Sequence, residues 1–239
     1  MSQKRPRFDA GEWKNHLRLA EARVTSQIDH EWLQLSPNTP FHAWLSCITS
    51  QRISFTASRA VRSYIYSLHE EGNTSFTLER MGRMSAFEWA RCRSLGLTVQ
   101  QLDVAQRFVA YCQAYLPASE SESESALSTH LAQEIEVVQQ ALRPGIGPWT
   151  CKAVQLSLAY ASPSSHDLFL GEDFHVRTQL QCMLPIATPT LTIAQANQLG
   201  SQFAHPGTMA MILWRARKPA WATWLASSSA TTLARQDFF

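Results

Sequence analysis

The sequence carries little net charge and has no long hydrophobic run. Its 239 residues have a formal net charge of +2, too small for the total alone to indicate a charged partner. No apolar run approaches the roughly 20 residues that cross a bilayer. The basic residues 1–7 are not followed by the apolar segment of a secretion signal. We therefore expect no membrane partner and a cytoplasmic location.

Cysteine is also scarce, and its spacing excludes two common uses. The five cysteines lie at positions 47, 92, 112, 151 and 182, and none belongs to a CxxC pair. An odd number at wide spacing argues against a disulfide framework and a zinc site. The pattern is typical of buried thiols in a reducing compartment.

Strand patterns are absent, whereas helical periodicity recurs along the chain. Capping boxes are predicted at Asp9 with Glu12, Ser85 with Glu88, Thr98 with Gln101, and Thr192 with Gln195. Helices are predicted at about 9–33, 41–49, 55–68, 85–95, 98–115, 129–142, 149–160, 192–203 and 208–217. In the first of them, Trp13, Leu17, Leu19 and Ala20 are expected on one face. The sequence thus predicts an all-α protein of about ten helices in two lobes.

Residues 117–125 are a Ser/Glu repeat of low complexity. Such acidic segments are usually solvated. We expect a surface loop here rather than a partner-binding tail.

A glycine-rich turn stands out between two predicted helices. Gly145 and Gly147 lack Cβ atoms, so the backbone can turn tightly and approach a ligand. Pro148 suits the first turn of the next helix, whose N-terminal N–H groups are suited to a phosphate. The alternative is an ordinary tight connection between helices.

Asp173 follows Trp149 by a distance that one helix and a short loop would span, so both could face a common cleft. A carboxylate at that position can also be a plain N-cap.

These residues carry a resemblance. The run Leu142-Arg-Pro-Gly-Ile-Gly-Pro-Trp-Thr150, followed by Phe169-Leu-Gly-Glu-Asp-Phe-His-Val-Arg177, resembles the helix-hairpin-helix, Gly/Pro-rich loop and Asp signature of the DNA glycosylase superfamily that includes endonuclease III. Upstream, residues 41–54 are similar to the segment that carries the DNA-wedging loop, and residues 95–98 match a further turn. The resemblance covers about Thr39 to Trp214. It is closest to the 3-methyladenine DNA glycosylase II branch without its N-terminal β domain.

The resemblance implies a definite architecture and partner. Residues 38–160 would form a six-helix, barrel-like lobe with the helix-hairpin-helix motif, and residues 1–37 plus 161–239 a second helical lobe with the catalytic Asp. The active-site cleft would lie between them. The partner would be double-stranded DNA containing damaged bases, bound by a monomer that is nucleoid-associated if bacterial.

It also implies roles for single residues. Asp173 would be catalytic, Trp149 and Trp214 would stack on the extruded base, and Gln51 and Arg52 would wedge into the gap. DNA contacts are expected from Gly145, Ile146, Gly147, Thr150 and Arg177. The backbone carbonyls of Ala141, Arg143 and Ile146 would hold a structural Na⁺ or K⁺. Other interpretations stay open: Trp149 and Trp214 as core residues, residues 51–52 as an ordinary loop, and Arg177 as a structural residue.

The resemblance predicts a monofunctional enzyme. Bifunctional members have a Lys that forms a Schiff base where this chain has Trp149; Lys152, one turn later, is the rival amine. No Cys follows Cys182, so the four-Cys iron–sulfur site of endonuclease III cannot be built and no cofactor is required. Ala153 departs from the alkyl-base branch, which often has a second aromatic there.

The implied activity is hydrolysis of the N-glycosidic bond of a flipped-out, alkylated base in base excision repair. Asp173 would stabilise the positive charge that develops on the sugar. The alternatives are a glycosylase for deaminated or oxidised bases, a non-catalytic DNA-binding helix-hairpin-helix module, and an unrelated helical interaction protein.

Overall fold

The computed structural model describes residues 10–25, 39–51, 53–68, 77–115, 120–159, 168–184 and 190–215. Within these ranges all regular structure is helical and there is no strand, which confirms the all-α prediction. The chain divides into two compact units. We call Leu35–Ala161 the central unit, and Met1–Gln34 together with Ser162–Phe239 the terminal unit.

The described residues form twelve α-helices, preceded by a 3₁₀ turn at Ala10–Trp13. They are α1 (Lys14–Thr25), α2 (Pro40–Ser50), α3 (Phe55–Ser67), α4 (Leu78–Gly82), α5 (Ala86–Ser94), α6 (Val99–Tyr115), α7 (Glu120–Gln133), α8 (Ile135–Ala141), α9 (Pro148–Ala159), α10 (Phe174–Met183), α11 (Ile193–Gly200) and α12 (Pro206–Arg215).

Side-chain caps begin several of these helices where the sequence predicts them. The Thr39 hydroxyl accepts the N–H of His42 at 3.2 Å, one residue before Pro40 opens α2. Reciprocal capping boxes begin α5, at Ser85 and Glu88, and α11, at Thr192 and Gln195. Thr98 and Gln101 make the same pair of bonds before α6. The predicted cap at Asp9 lies outside the described residues.

Helix α2 is the centre of the central unit. It packs against α3, α6, α7 and α9. The buried Trp44 donates its indole N–H to the Leu131 carbonyl at 2.9 Å. Phe41 stacks on Phe108 of α6 with ring centroids 5.3 Å apart. Because buried aromatic rings contribute much of a core's apolar area, these contacts fix the frame on which α9 and the loop before it rest.

In the terminal unit, α1 buries a stripe at helical spacing. Leu17, Ala20 and Val24 are buried, and so is Glu21, whose carboxylate accepts the N–H groups of Ala204 at 2.5 Å and His205 at 2.7 Å just before α12. The predicted placement of Leu19 on this face is wrong, since its side chain is 73% exposed. Two residues along a helix correspond to about 200°, which puts Leu19 opposite Leu17.

The acidic repeat is a second difference. Helix α7 begins at Glu120, so the predicted loop is wrong for residues 120–125, while residues 117–119 lie outside the described ranges. Glu is a good helix former and is favourable in a first turn. The buried Leu127 and Leu131 then anchor the helix.

Three helix boundaries also differ from prediction. The segment predicted as one helix over 129–142 is two, because the backbone of Glu134 leaves helical geometry at φ −101° and ψ 44°. Helix α4 was not predicted. Together with this break, it gives the described part of the central unit eight helices where six were predicted. Helix α11 ends at Gly200 rather than near Phe203. Helix α12 begins at Pro206 rather than at residue 208. A proline is compatible with this start because the first turn of a helix tolerates it.

Candidate functional site

The loop between α8 and α9 turns its carbonyl groups inward. The Leu142 and Pro144 carbonyls accept from the Arg107 guanidinium at 3.1 and 2.7 Å. The Gly147 carbonyl accepts from the N–H groups of Thr150 and Cys151. In contrast, the N–H groups of Gly145, Ile146 and Gly147 donate to no residue of the described ranges. Three successive backbone donors therefore precede α9 without a protein partner there.

The two glycines of this loop are needed for different reasons. Gly145 has φ +136°, and a Cβ there would lie 2.2 Å from Val104 Cγ2. Gly147 has no positive φ, and a Cβ there would meet no heavy atom within 4 Å. Gly145 thus lets the loop adopt its shape, whereas Gly147 leaves open space beside N–H groups that have no partner in the described part of the chain. Ile146 as a whole residue is only 4% exposed, whereas Gly145 and Gly147 are partly exposed and are the more accessible positions of the loop.

Gln51 and Thr150 meet beside this loop. The Gln51 amide donates to the Thr150 hydroxyl, and the Gln101 amide donates to the Gln51 carbonyl. Thr150 is 1% exposed and its N–H is already bonded to Gly147, so a direct DNA contact by its side chain does not fit. Its contact with Gln51 instead ties the end of α2 to the start of α9. Arg52, the other predicted wedge residue, lies outside the described residues.

Position 149 and its neighbours on α9 differ in exposure. Trp149 and Lys152 are partly exposed, so both can reach solvent from the first turn and a half of α9. Ala153 is completely buried against the helices of the central unit. Trp214 on α12 is likewise partly exposed.

Asp173 is the N-cap of α10. Its Oδ1 accepts the N–H of Val176 at 2.9 Å, and its own N–H donates to the Leu170 carbonyl at 3.0 Å. The N-cap alternative for this residue is therefore confirmed, and it is compatible with a catalytic role because the cap fixes the direction of the carboxylate. The side chain is partly exposed.

Two residues hold the turn that carries Asp173. Arg177 donates from Nη1 to the Gly171 and Glu172 carbonyls at 2.9 and 3.0 Å, which favours its structural alternative. Asn197 Oδ1 accepts the Gly171 N–H at 3.1 Å. Asn197 was not predicted, because a contact between residues 26 positions apart leaves no local pattern.

No family model matches this chain, and no curated protein matches it. No helix in the described ranges is long and apolar enough to cross a membrane.

The loop belongs to the central unit and Asp173 to the terminal unit. Their common cleft stays a prediction, as does the monovalent cation at the carbonyls of Ala141, Arg143 and Ile146. No group of three or more His, Cys, Asp or Glu residues in the described part of the chain could hold a metal ion.

Four of the five thiols are buried and offer no nucleophile. Burial raises the pKa of Cys47 and Cys112 to about 12, and that of Cys92 and Cys151 to about 11. Because the thiolate is the reactive form, these side chains are inert near neutral pH. They act as small apolar residues in the core.

A depression elsewhere on the central unit contains none of the predicted site residues. Tyr115, Thr129, His130, Glu134 and Val137 are among the residues that line it. The polar side chain of His130 is in contact with neighbouring tyrosines. Its ring stacks on that of Tyr115 with centroids 4.1 Å apart, and the Tyr111 hydroxyl lies 2.6 Å from its Nε2.

Proposed function

We propose that the protein is a monofunctional DNA glycosylase that removes damaged bases, with alkylated bases as the first class to test. The observation that carries the proposal is the row of three backbone N–H groups, Gly145 to Gly147, in the loop just before a 12-residue helix. α8, the loop and α9 would be the helix-hairpin-helix motif that the sequence resembles.

Backbone donors of this kind suit a phosphate. A helix N-terminus presents unpaired N–H groups and the positive end of the helix dipole. Phosphate contacts position a duplex without reading its sequence, as a repair enzyme that scans for damage requires. The small net charge of the chain makes such local donors more important.

Asp173 supplies the chemistry. Cleavage of the glycosidic bond develops positive charge at the sugar ring, and an ionised carboxylate held nearby lowers the barrier and orients the attacking water. The N-cap bond to Val176 and the turn held by Arg177 fix the carboxylate, so no reorientation is needed during the reaction.

The target base would leave the duplex, at a cost of a few kcal/mol that is smaller for damaged bases. Trp149 and Trp214 would stack on it; an alkylated purine is cationic, and a Trp face attracts a cation by roughly 0.5–2 kcal/mol. Gln51 and Arg52 would occupy the gap. Deaminated and oxidised bases are the alternative substrates.

A non-catalytic DNA-binding module is the second candidate, because the N–H row alone would support it. The experiment that separates the candidates incubates duplexes containing one 3-methyladenine, 7-methylguanine, hypoxanthine, uracil or 8-oxoguanine with the protein. Abasic sites are then revealed by alkaline strand cleavage. Base release supports the glycosylase, DNA binding without release leaves the module, and no binding contradicts both.

The decisive variant is Asp173→Asn. Asn is as good an N-cap as Asp, so folding and DNA binding should be nearly unchanged. Base release should fall by about 100-fold or more, because the charge that stabilises the transition state is lost.

The matched control is Thr192→Ala, which removes the N-cap of α11 in the same unit and leaves Asp173 intact. It should lower stability by about 1 kcal/mol and keep activity. An Asn variant that releases bases at the wild-type rate would show that Asp173 is not catalytic, and Glu172 would be tested next.

The proposed enzyme forms no covalent intermediate, because an indole at position 149 cannot act as an amine nucleophile. We expect no protein–DNA adduct after borohydride treatment, and strand breaks only after alkali. An adduct that disappears in Lys152→Ala would instead establish a lyase.

A further inference from the structure

Arg107 joins α6 to the loop before α9. Its Nη1 donates to the Leu142 carbonyl at 3.1 Å and its Nη2 to the Pro144 carbonyl at 2.7 Å. Its Nε donates to Asp103 Oδ2, one helical turn earlier, at 2.9 Å. The planar guanidinium thus uses its fork on two loop carbonyls while a carboxylate fixes its orientation.

The loop lies close against the same helix. A Cβ at Gly145 would lie 2.2 Å from Val104 Cγ2 and 3.3 Å from Arg107 Nη2. Only a glycine allows the backbone to come this near to α6. The position of the loop is therefore set by Val104 and Arg107 together.

The direction of the Pro144 carbonyl determines that of the next N–H. In the planar trans peptide unit between Pro144 and Gly145, the C=O and the N–H point in opposite directions. Because Arg107 holds this carbonyl toward α6, the Gly145 N–H points away from α6. This N–H is the first of the three donors without a described partner.

We propose that Arg107 is a positioning residue for phosphate binding: it orients the peptide unit of Pro144 and Gly145 so that the loop presents its N–H groups to an anionic oxygen. Asp103 in turn holds the guanidinium. The inference rests on the proposed function, because the phosphate is that of a DNA backbone. Arg107 uses the carbonyls of residues 142 and 144, which differ from the three predicted for a monovalent cation.

The test measures the affinity of an undamaged duplex by fluorescence anisotropy as a function of salt. Arg107→Gln should weaken binding about tenfold, the loss expected for one well-oriented hydrogen bond to a charged group. Its log–log salt slope should equal that of the wild type, since Arg107 itself neutralises no phosphate. Asp103→Asn should lower the duplex affinity by a smaller factor. In the Arg107→Ala variant, millimolar guanidinium should restore DNA binding more than NaCl of equal ionic strength does.

Arg83→Gln is the matched control. Arg83 forms an exposed pair with Glu79 at the same spacing, 2.9 Å apart, in the same unit. It should change affinity by less than about twofold. An equal loss in both variants would mean a general charge effect, and a slope reduced by about one in Arg107→Gln would mean a direct phosphate contact. Either result overturns the proposal.

A second measurement does not depend on DNA. Inorganic phosphate is titrated while the amide NMR signals of Gly145, Ile146 and Gly147 are followed. Shifts at these amides in the wild type that are lost in Arg107→Gln support the proposal; equal shifts in both proteins, or none in the wild type, overturn it. If the wild type binds phosphate but no duplex, the proposed function fails while the positioning role stands.

Discussion

Substitution of the two glycines of the loop before α9 should affect different properties: DNA affinity at Gly147 and stability at Gly145. Gly147→Val adds a side chain where no heavy atom lies within 4 Å, so we expect the fold to accept it within about 1 kcal/mol. The added methyl groups would cover the neighbouring N–H groups. Loss of one hydrogen bond to a phosphate corresponds to a fall in DNA affinity of about 10- to 100-fold.

Gly145→Ala should instead lower stability. The positive φ costs about 1–2 kcal/mol. The overlap of the new Cβ with Val104 costs about 1–3 kcal/mol more. For a chain of this length, the sum lowers the melting temperature by on the order of 10 °C.

Thermal melts and anisotropy titrations with damaged and undamaged duplexes separate the two effects. Ala86→Val, at the exposed first residue of α5, is the matched control for a bulky residue at a helix start. Gly147→Val should weaken both duplexes alike, because phosphate contacts do not depend on the lesion. Wild-type affinity in this variant, or a loss confined to damaged DNA, would refute the role of the loop.

Two further predictions concern stability. Burial, with a smaller effect of Arg62, lowers the pKa of His42 from 6.5 to about 4. The unfolded chain therefore binds more protons there, and stability should fall as the pH falls from about 6.5 towards 4, by about 2 kcal/mol between pH 7 and pH 5. His42→Gln should remove this part of the pH dependence of urea unfolding; an unchanged slope would contradict it. Glu21→Gln should destabilise the protein by about 2 kcal/mol, since an amide has one acceptor oxygen for the two N–H groups that the carboxylate serves. Glu136→Gln, at an exposed position, should change unfolding by less than about 0.5 kcal/mol, and equal effects would refute this reasoning.

Local signals predict much of the helical structure. The capping boxes at Ser85, Thr98 and Thr192 lie where their spacing indicates, because each depends on residues three positions apart. The acidic repeat misleads, since its composition is typical of a loop while its glutamates also favour the first turn of a helix.

Contacts between distant residues could not be predicted. Arg107 lies 35 and 37 residues from the carbonyls that it holds. Glu21 lies on the apolar face of α1. Only the fold reveals the two N–H groups that donate to its buried carboxylate. The loop and Asp173 were found because glycine spacing and helix caps are local, whereas the residues that position them are not.

The buried carboxylate of α1 also has a consequence for the order in which the protein can fold during synthesis. Glu21 is made 183 and 184 residues before the two N–H groups that it bonds, so the buried face of α1 cannot complete its contacts until Ala204 and His205 have been made. The central unit is continuous in sequence, and its last residue, Ala161, is made before Asp173. The central unit can thus fold, and the loop before α9 can take its shape, before the terminal unit has all the residues that it needs.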